Sequence, residues 1–303
     1  TSAVSTAVFD QDGNVAGVFH TSQGLSMFDA FVGGIQISSG AFESVDQAVD
    51  EFRKVRNEAQ KHEVKSVDDL QGFGDAMQRL GGEYKVTVKS IRNSAGEYIG
   101  EAVFEISDGS VMCSKLQAAN GMEFVARGAT MQDVISNYQS YAKLAEESNP
   151  AGFQNQDGSI NKDSAFDFAK AAQQVAQQQK GLTDGPAFRF VDQSGAGESF
   201  ELKMAAQGLA VKALDVKGMG GTVLGDLSVS IASDTKNFAK AADAAKVKLD
   251  QIRSEAQKIN LPKDASNRES LSQVGKLLKS LQPLGETGET GLQAVAQEVS
   301  LEV

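Results

Sequence analysis

The stretch Glu83–Ile106, EYKVTVKSIRNSAGEYIGEAVFEI, alternates apolar and polar residues on either side of the turn Asn93-Ser94-Ala95-Gly96. A strand points successive side chains to opposite faces, so each run can bury one face only, and two such runs joined by a short Asn/Gly turn pair as a hairpin. The expected inward set is Val86, Val88 and Ile91 opposite Ile99, Val103 and Ile106. The chain therefore has to build antiparallel sheet.

The same signal recurs. Residues 3–20 read as a hairpin around Asp10-Gln11-Asp12-Gly13-Asn14; Asp108-Gly109 and Asn120-Gly121 turn the chain into SVMCSKL and MEFVA; AFRFVDQ and ESFELKM flank Ser194-Gly195-Ala196-Gly197, followed by GLAVKALDV and TVLGDLSVSI. Gly33-Gly34 to Gly40 reads as a glycine-rich lead into the first helix.

Helical segments lie between the strand blocks. Ser44 with Gln47 forms a capping box, and Val45, Val49, Phe52, Val55 and Ala59 share one face. A second helix starts after Ser66, carries Leu70, Phe73, Met77 and Leu80, and stops at Gly81-Gly82. Thr130 with Asp133 caps a helix to about Glu147, and SAFDFAKAAQQVAQQQK is helical, with a thin stripe of Phe166, Ala169 and Val175 after an Asp163 or Ser164 cap. Long helices are expected over about 234–259 and 266–281.

VRNEAQK at Val55–Lys61 matches IRSEAQK at Ile252–Lys258, and each match precedes a second helix with identical apolar spacing. The expected fold is α+β: antiparallel β-meanders each followed by a helix pair, with an internal repeat as one reading and chance similarity of two exposed helices as the other. The units run over 1–82 (hairpin plus helix pair), 83–182 (meander plus helix) and 183–303 (meander plus helix pair, with a hinged C-terminal helix).

Charge narrows the function. A net charge of −11 repels phosphate backbones and anionic membranes at long range, so nucleic acid is not an expected partner. No run of about 18 apolar residues occurs, so no membrane span is expected. The single Cys113 excludes an intrachain disulfide and a thiolate zinc cluster, and reads as a structural thiol in a strand.

Candidate sites are few. Thr1 could act as an N-terminal nucleophile with its own α-amine as base, or simply follow a trimmed methionine. Asn155, Asp157, Ser159, Asn161 and Asp163 place oxygens at every second position, but neither counting frame supplies both the glycine and the glutamate of a calcium loop, so the segment reads as a polar linker. KGMGGTVLGD lacks the Lys-Ser/Thr of a phosphate loop. His20 and His62 are the only histidines, which leaves no histidine pair at ligand spacing; no metal and no cofactor are expected. In the tail GETGETGLQAVAQEVSLEV, two Gly-Glu-Thr repeats precede Leu292, Val295 and Val299, an expected short amphipathic helix that would dock on its own body or a neighbour.

The reading that follows is a non-enzymatic assembly protein, acting through contacts with copies of itself or other proteins of an assembly. A homo-oligomer is expected, in a virion or secreted without a cleaved signal. A threonine amidohydrolase using Thr1, and a secreted effector or translocator with a partner-binding helical tail, are the alternatives.

Overall fold

The computed structural model describes residues 4–176, 185–195, 197, 199–205, 208–214, 227–232 and 292–296. These form two compact units, the first from the described residues of Thr1–Ala118 and Phe124–Gln139, the second from those of Ala119–Glu123, Ser140–Gln179 and Gly185–Val303.

The first unit is built on an antiparallel sheet: β1 (Val4–Phe9), β2 (Val15–Ser22), β3 (Leu25–Val32), β4 (Ile35–Ser39), β5 (Tyr84–Arg92), β6 (Tyr98–Ser107), β7 (Ser110–Lys115) and β9 (Met122–Gly128), adjacent in that order, with the short β8 (Gln117–Ala119) pairing β9. Its helices are α1 (Val45–Ala59), a 3₁₀ turn Val67–Asp69 running into α2 (Leu70–Arg79), and the first turns of α3 (Met131–Ser148). The β1–β2 hairpin and the β5–β6 hairpin form where the alternation predicts them.

The stretch 25–39 differs from the expectation. It is a further hairpin, β3–β4, turning at Gly33-Gly34, where Gly33 has φ 58. Positive φ at a two-residue turn is what a Gly-Gly pair accommodates without a Cβ clash. β4 then pairs with β5, Ile37 opposite Val86, so one sheet runs across the expected boundary at 82.

Side-chain parity divides this sheet into a buried face and an open face. One cross-strand row runs Val8, Gly17, Ala30, Ile37, Val86, Phe104, Cys113, Ala126. From Gly17 onward every member is buried. In β6 the inward residues are Ala102, Phe104 and Ile106; Val103 and Ile99 are half-buried, which shifts the expected pairing by one residue at Val103. A bulge between Val88 and Ile91 accounts for the break in alternation after Val88.

α1 covers β3 with Ala48, Phe52, Val55 and Ala59; Val45, expected on the inner face, is exposed and Val49 half-buried. The small Ala48 lets the helix approach the sheet, and Phe52 packs edge-on against Phe28 at 5.4 Å between centroids. Ser44 caps α1, accepting from the Gln47 backbone N–H, and Ser66 and Asp69 form the box that starts the 3₁₀ turn before α2. Thr130 and Asp133 do the same for α3.

The second unit pairs β10 (Ala187–Phe190), β11 (Ser199–Ala205), β12 (Gly208–Leu214), β13 (Leu227–Ala232) and β14 (Leu292–Ala296), consecutive strands antiparallel. α4 (Lys162–Ala176) packs on it through Phe166, Phe168, Ala169 and Ala172. Phe153, Phe168, Phe188, Phe190 and Phe200 form an aromatic core in which Phe153 meets Phe168 and Phe190 edge-on at 5.4 and 5.3 Å. The cap of α4 is Asn161, whose Oδ1 accepts from the Ser164 N–H, rather than Asp163 or Ser164.

Leu292–Ala296 is a strand and not the expected helix: Leu292 lies opposite Ile231 and Val295 opposite Ser228. A helix this short is costly to nucleate, whereas pairing along β13 satisfies backbone donors and acceptors residue by residue. The helices expected over 234–259 and 266–281 lie outside the described residues, and with them half of the expected repeat.

Candidate functional site: the open face of the first sheet

One residue along from the buried row runs its counterpart: Ala7, Val18, Asp29, Ser38, Lys85, Glu105, Met112 and Arg127, each opposite the next. None is buried. Period-two alternation thus produces a solvent-facing band carrying acid, hydroxyl, base and thioether groups in sequence across the sheet. Lys85 opposite Glu105 is a favourable cross-strand charge pair.

Ser38, Lys85, Glu105, Met112 and Arg127 line a shallow cleft of about 470 Å³, with Tyr84, Ser107 and Ser110 among its other walls. Its charges are mixed, two basic groups from β5 and β9 facing Glu83 and Glu105. Tyr84 donates its hydroxyl to the Glu51 carboxylate of α1. Burial and that carboxylate push the phenol above its ordinary value, so it stays a donor at neutral pH.

At the other end of the face, His20 Nε2 lies 2.9 Å from Asp29 Oδ2 and His20 Nδ1 lies 2.9 Å from Ser5 Oγ. Ser38 Oγ donates to Asp29 Oδ1 at 2.5 Å. Burial opposes charge on Asp29, but the Ser38 hydroxyl and the His20 imidazole outweigh it and hold the carboxyl below the usual range. Ser5, His20, Asp29 and Ser38 come from four successive strands, so one hydrogen-bonded chain ties β1 to β4 on the surface.

This chain has the connectivity of a hydroxyl nucleophile, an imidazole base and an orienting carboxylate. Hydrolytic use also requires donors aimed at a developing oxyanion and walls that exclude water. Ser5 is instead exposed on β1, and the His20 and Asp29 side chains keep 41% and 25% of their surface. The geometry suits a surface tie between strands.

The grouping was not legible in the sequence, where His20 simply ends a strand. The signal that could have found it is hairpin arithmetic: positions 5 and 20 are partners once the turn at 10–14 is placed, and a β3–β4 hairpin brings Ser38 opposite Asp29.

The other candidates are placed as follows. Thr1 and Val299 lie outside the described residues, as do the glycines of 218–225. Cys113 is buried, with Sγ 3.6 Å from the Phe124 carbonyl. His62 follows α1, stacks edge-on to Phe73 at 6.0 Å and lies 3.6 Å from Glu58. The segment 155–161 closes on itself: Asp157 accepts from the backbone N–H and hydroxyl of Ser159, and Asn155 Nδ2 donates to Ser159 Oγ. Asp157 Oδ1 and Ser159 Oγ are thus engaged within a tight turn with Gly158 at φ 84. Among the described residues no three His, Cys, Asp or Glu side chains converge as a metal site, and no helix is long and apolar enough to cross a membrane.

Comparison with family models, with curated proteins and with solved structures finds no match.

Proposed function

We propose that this is a structural assembly protein that works through contacts between sheet surfaces of neighbouring subunits. The observation that carries this reading is the open face: a broad band of mixed chemistry that also presents the exposed apolar side chains of Leu25 and Met27, on the same side of β3 as Asp29. Apolar groups of this size on one end of a sheet gain free energy when a neighbour covers them, and the polar band supplies orientation. A virion or a secreted apparatus is the setting proposed for such a subunit.

The test is sedimentation and light scattering across a wide concentration range, with negative-stain microscopy of the most concentrated samples. Concentration-dependent closed or extended oligomers are expected. A monomer throughout overturns the reading.

The second reading is a hydrolase: the threonine amidohydrolase that Thr1 would make, beside which Ser5–His20–Asp29 supplies the connectivity of a hydroxyl, imidazole and carboxylate without an enclosed pocket. Turnover of an activated ester, lost in Ser5→Ala or in Thr1→Ala, would establish it over the first.

A further inference from the structure

β1 carries an edge whose features specify what completes it. Val4–Phe9 reads VSTAVF: no charge, no proline, three β-branched residues among the first five positions, and exposure at every position except Val8. It pairs with β2 on one side, and among the described residues nothing pairs with it on the other. An open strand of this length presents unpaired backbone donors and acceptors, and soluble proteins blunt such edges with lysine, proline or inward charges. β1 has none of these, although the chain as a whole carries −11.

We infer that β1 pairs antiparallel with β1 of a second copy of this chain, around a two-fold axis through Thr6. This rests on the assembly reading above and names its contact. The occupant follows from charge and from parity. Two copies of an acidic protein repel, and β1 is a segment where they meet without placing like charges opposite one another. A two-fold axis normal to a continuous sheet keeps each face on its own side, so opposed residues must share parity.

Of the registers that parity allows, centring on Ala7 draws Phe9 into the ladder, and the β1–β2 register breaks between Val8 and Phe9. Centring on Ser5 engages only residues 4–6 of the described strand. Centring on Thr6 uses residues 4–8, all ahead of the bulge, and sets Thr6 against Thr6, Ser5 against Ala7, and Val4 against Val8. Val4, 57% exposed, is then covered by a β-branched neighbour. The joined sheet would continue the open face, and the Ser5–His20–Asp29 chain would hold the edge strand in place for pairing.

The experiment uses the full chain with Cys113 left buried. Thr6→Cys under mild oxidation is expected to form a disulfide-linked dimer, and an equimolar mixture of Val4→Cys and Val8→Cys is expected to cross-link faster than either alone. Asp12→Cys, in the β1–β2 turn, provides the background rate. Thr6→Lys sets two ammonium groups on the axis and is expected to weaken self-association on the order of tenfold. Thr6 is exposed, so circular dichroism of both Thr6 variants should match the parent.

Oligomers that persist in Thr6→Lys, with Thr6→Cys linking no faster than Asp12→Cys, overturn β1 pairing but leave the assembly reading standing. A parent protein that stays monomeric at every concentration overturns both. Val4→Cys linking to itself faster than to Val8→Cys overturns the Thr6-centred register.

Discussion

Gly17 lies directly under Phe52: a Cβ at residue 17 would stand 2.3 Å from Phe52 Cε2 and 2.8 Å from the Asp29 carbonyl oxygen. The glycine is what lets α1 bring an aromatic ring down onto β2 and β3, where Phe52 meets Phe19 at 4.9 Å and Phe28 edge-on at 5.4 Å.

Gly17→Ala is therefore expected to destabilise the first unit by about 1–3 kcal/mol, the usual cost of overpacking a filled core. Urea unfolding of the two proteins checks this. An unchanged midpoint would mean that the Phe52 ring moves aside freely.

Arg56 reaches from α1 to two sheet carbonyls, donating from Nη1 to Ala16 O and Phe31 O at 2.8 Å each. Its guanidinium lies over the Phe52 ring, 5.8 Å from the centroid, and satisfies backbone acceptors beside the buried Ala16. Arg56→Met keeps the stem and removes the head, and is expected to cost about 1.5–3 kcal/mol, as for hydrogen bonds to a charged donor. Thermal unfolding, read against Arg53→Met on the same helix, separates the lost bonds from a change in net charge.

Asp29 has a lowered folded-state pKa, so its charged form stabilises the native protein. That contribution is complete above the unfolded carboxylate value and disappears as pH falls through the lower folded value. Asp69, accepting from the backbone N–H groups of Lys65 and Ser66, behaves alike: burial opposes its charge and those bonds prevail. In Asp29→Asn the acid limb of stability should be shallower than in the parent, with the difference between the two curves shrinking as pH falls through the lowered Asp29 value. Urea midpoints from neutral pH downward measure it; parallel curves would show that Asp29 is not coupled to folding.

Cys113 is buried in β7 opposite Phe104 and Ala126. A thiol reagent should leave it unmodified in the native protein and label it fully in denaturant, with native labelling paced by opening of the sheet. Fast native labelling would mean that β7 and β9 separate readily.

Phe153 is fully buried in the second unit and packs edge-on against Phe168 and Phe190. Phe153→Ala should cost about 3–5 kcal/mol in that unit, as for other buried aromatic truncations. Limited proteolysis of the variant, read as early cleavage between β10 and β12, reports the loss where it occurs.

The sequence by itself determined the hairpins at 4–22 and 84–107, the caps at Ser44, Ser66 and Thr130, and the place of Cys113 in a strand. Each depends on period-two alternation, turn chemistry or side-chain-to-backbone bonds spanning a few residues, all of which are written locally. The Gly33-Gly34 turn carries the same kind of signal, but a glycine pair fits a linker as well as a two-residue turn.

Tertiary structure alone decided which pattern won where two were available. LQAVA fits a helix by apolar spacing and a strand by partner, and β13 supplied the partner. It also decided the site: Ser5, His20, Asp29 and Ser38 lie up to thirty-three positions apart, and only the stacking of four strands in register sets them 2.5–2.9 Å from one another. Contacts between strands depend on register and order, which are properties of the whole sheet, whereas alternation within a strand needs only its own residues.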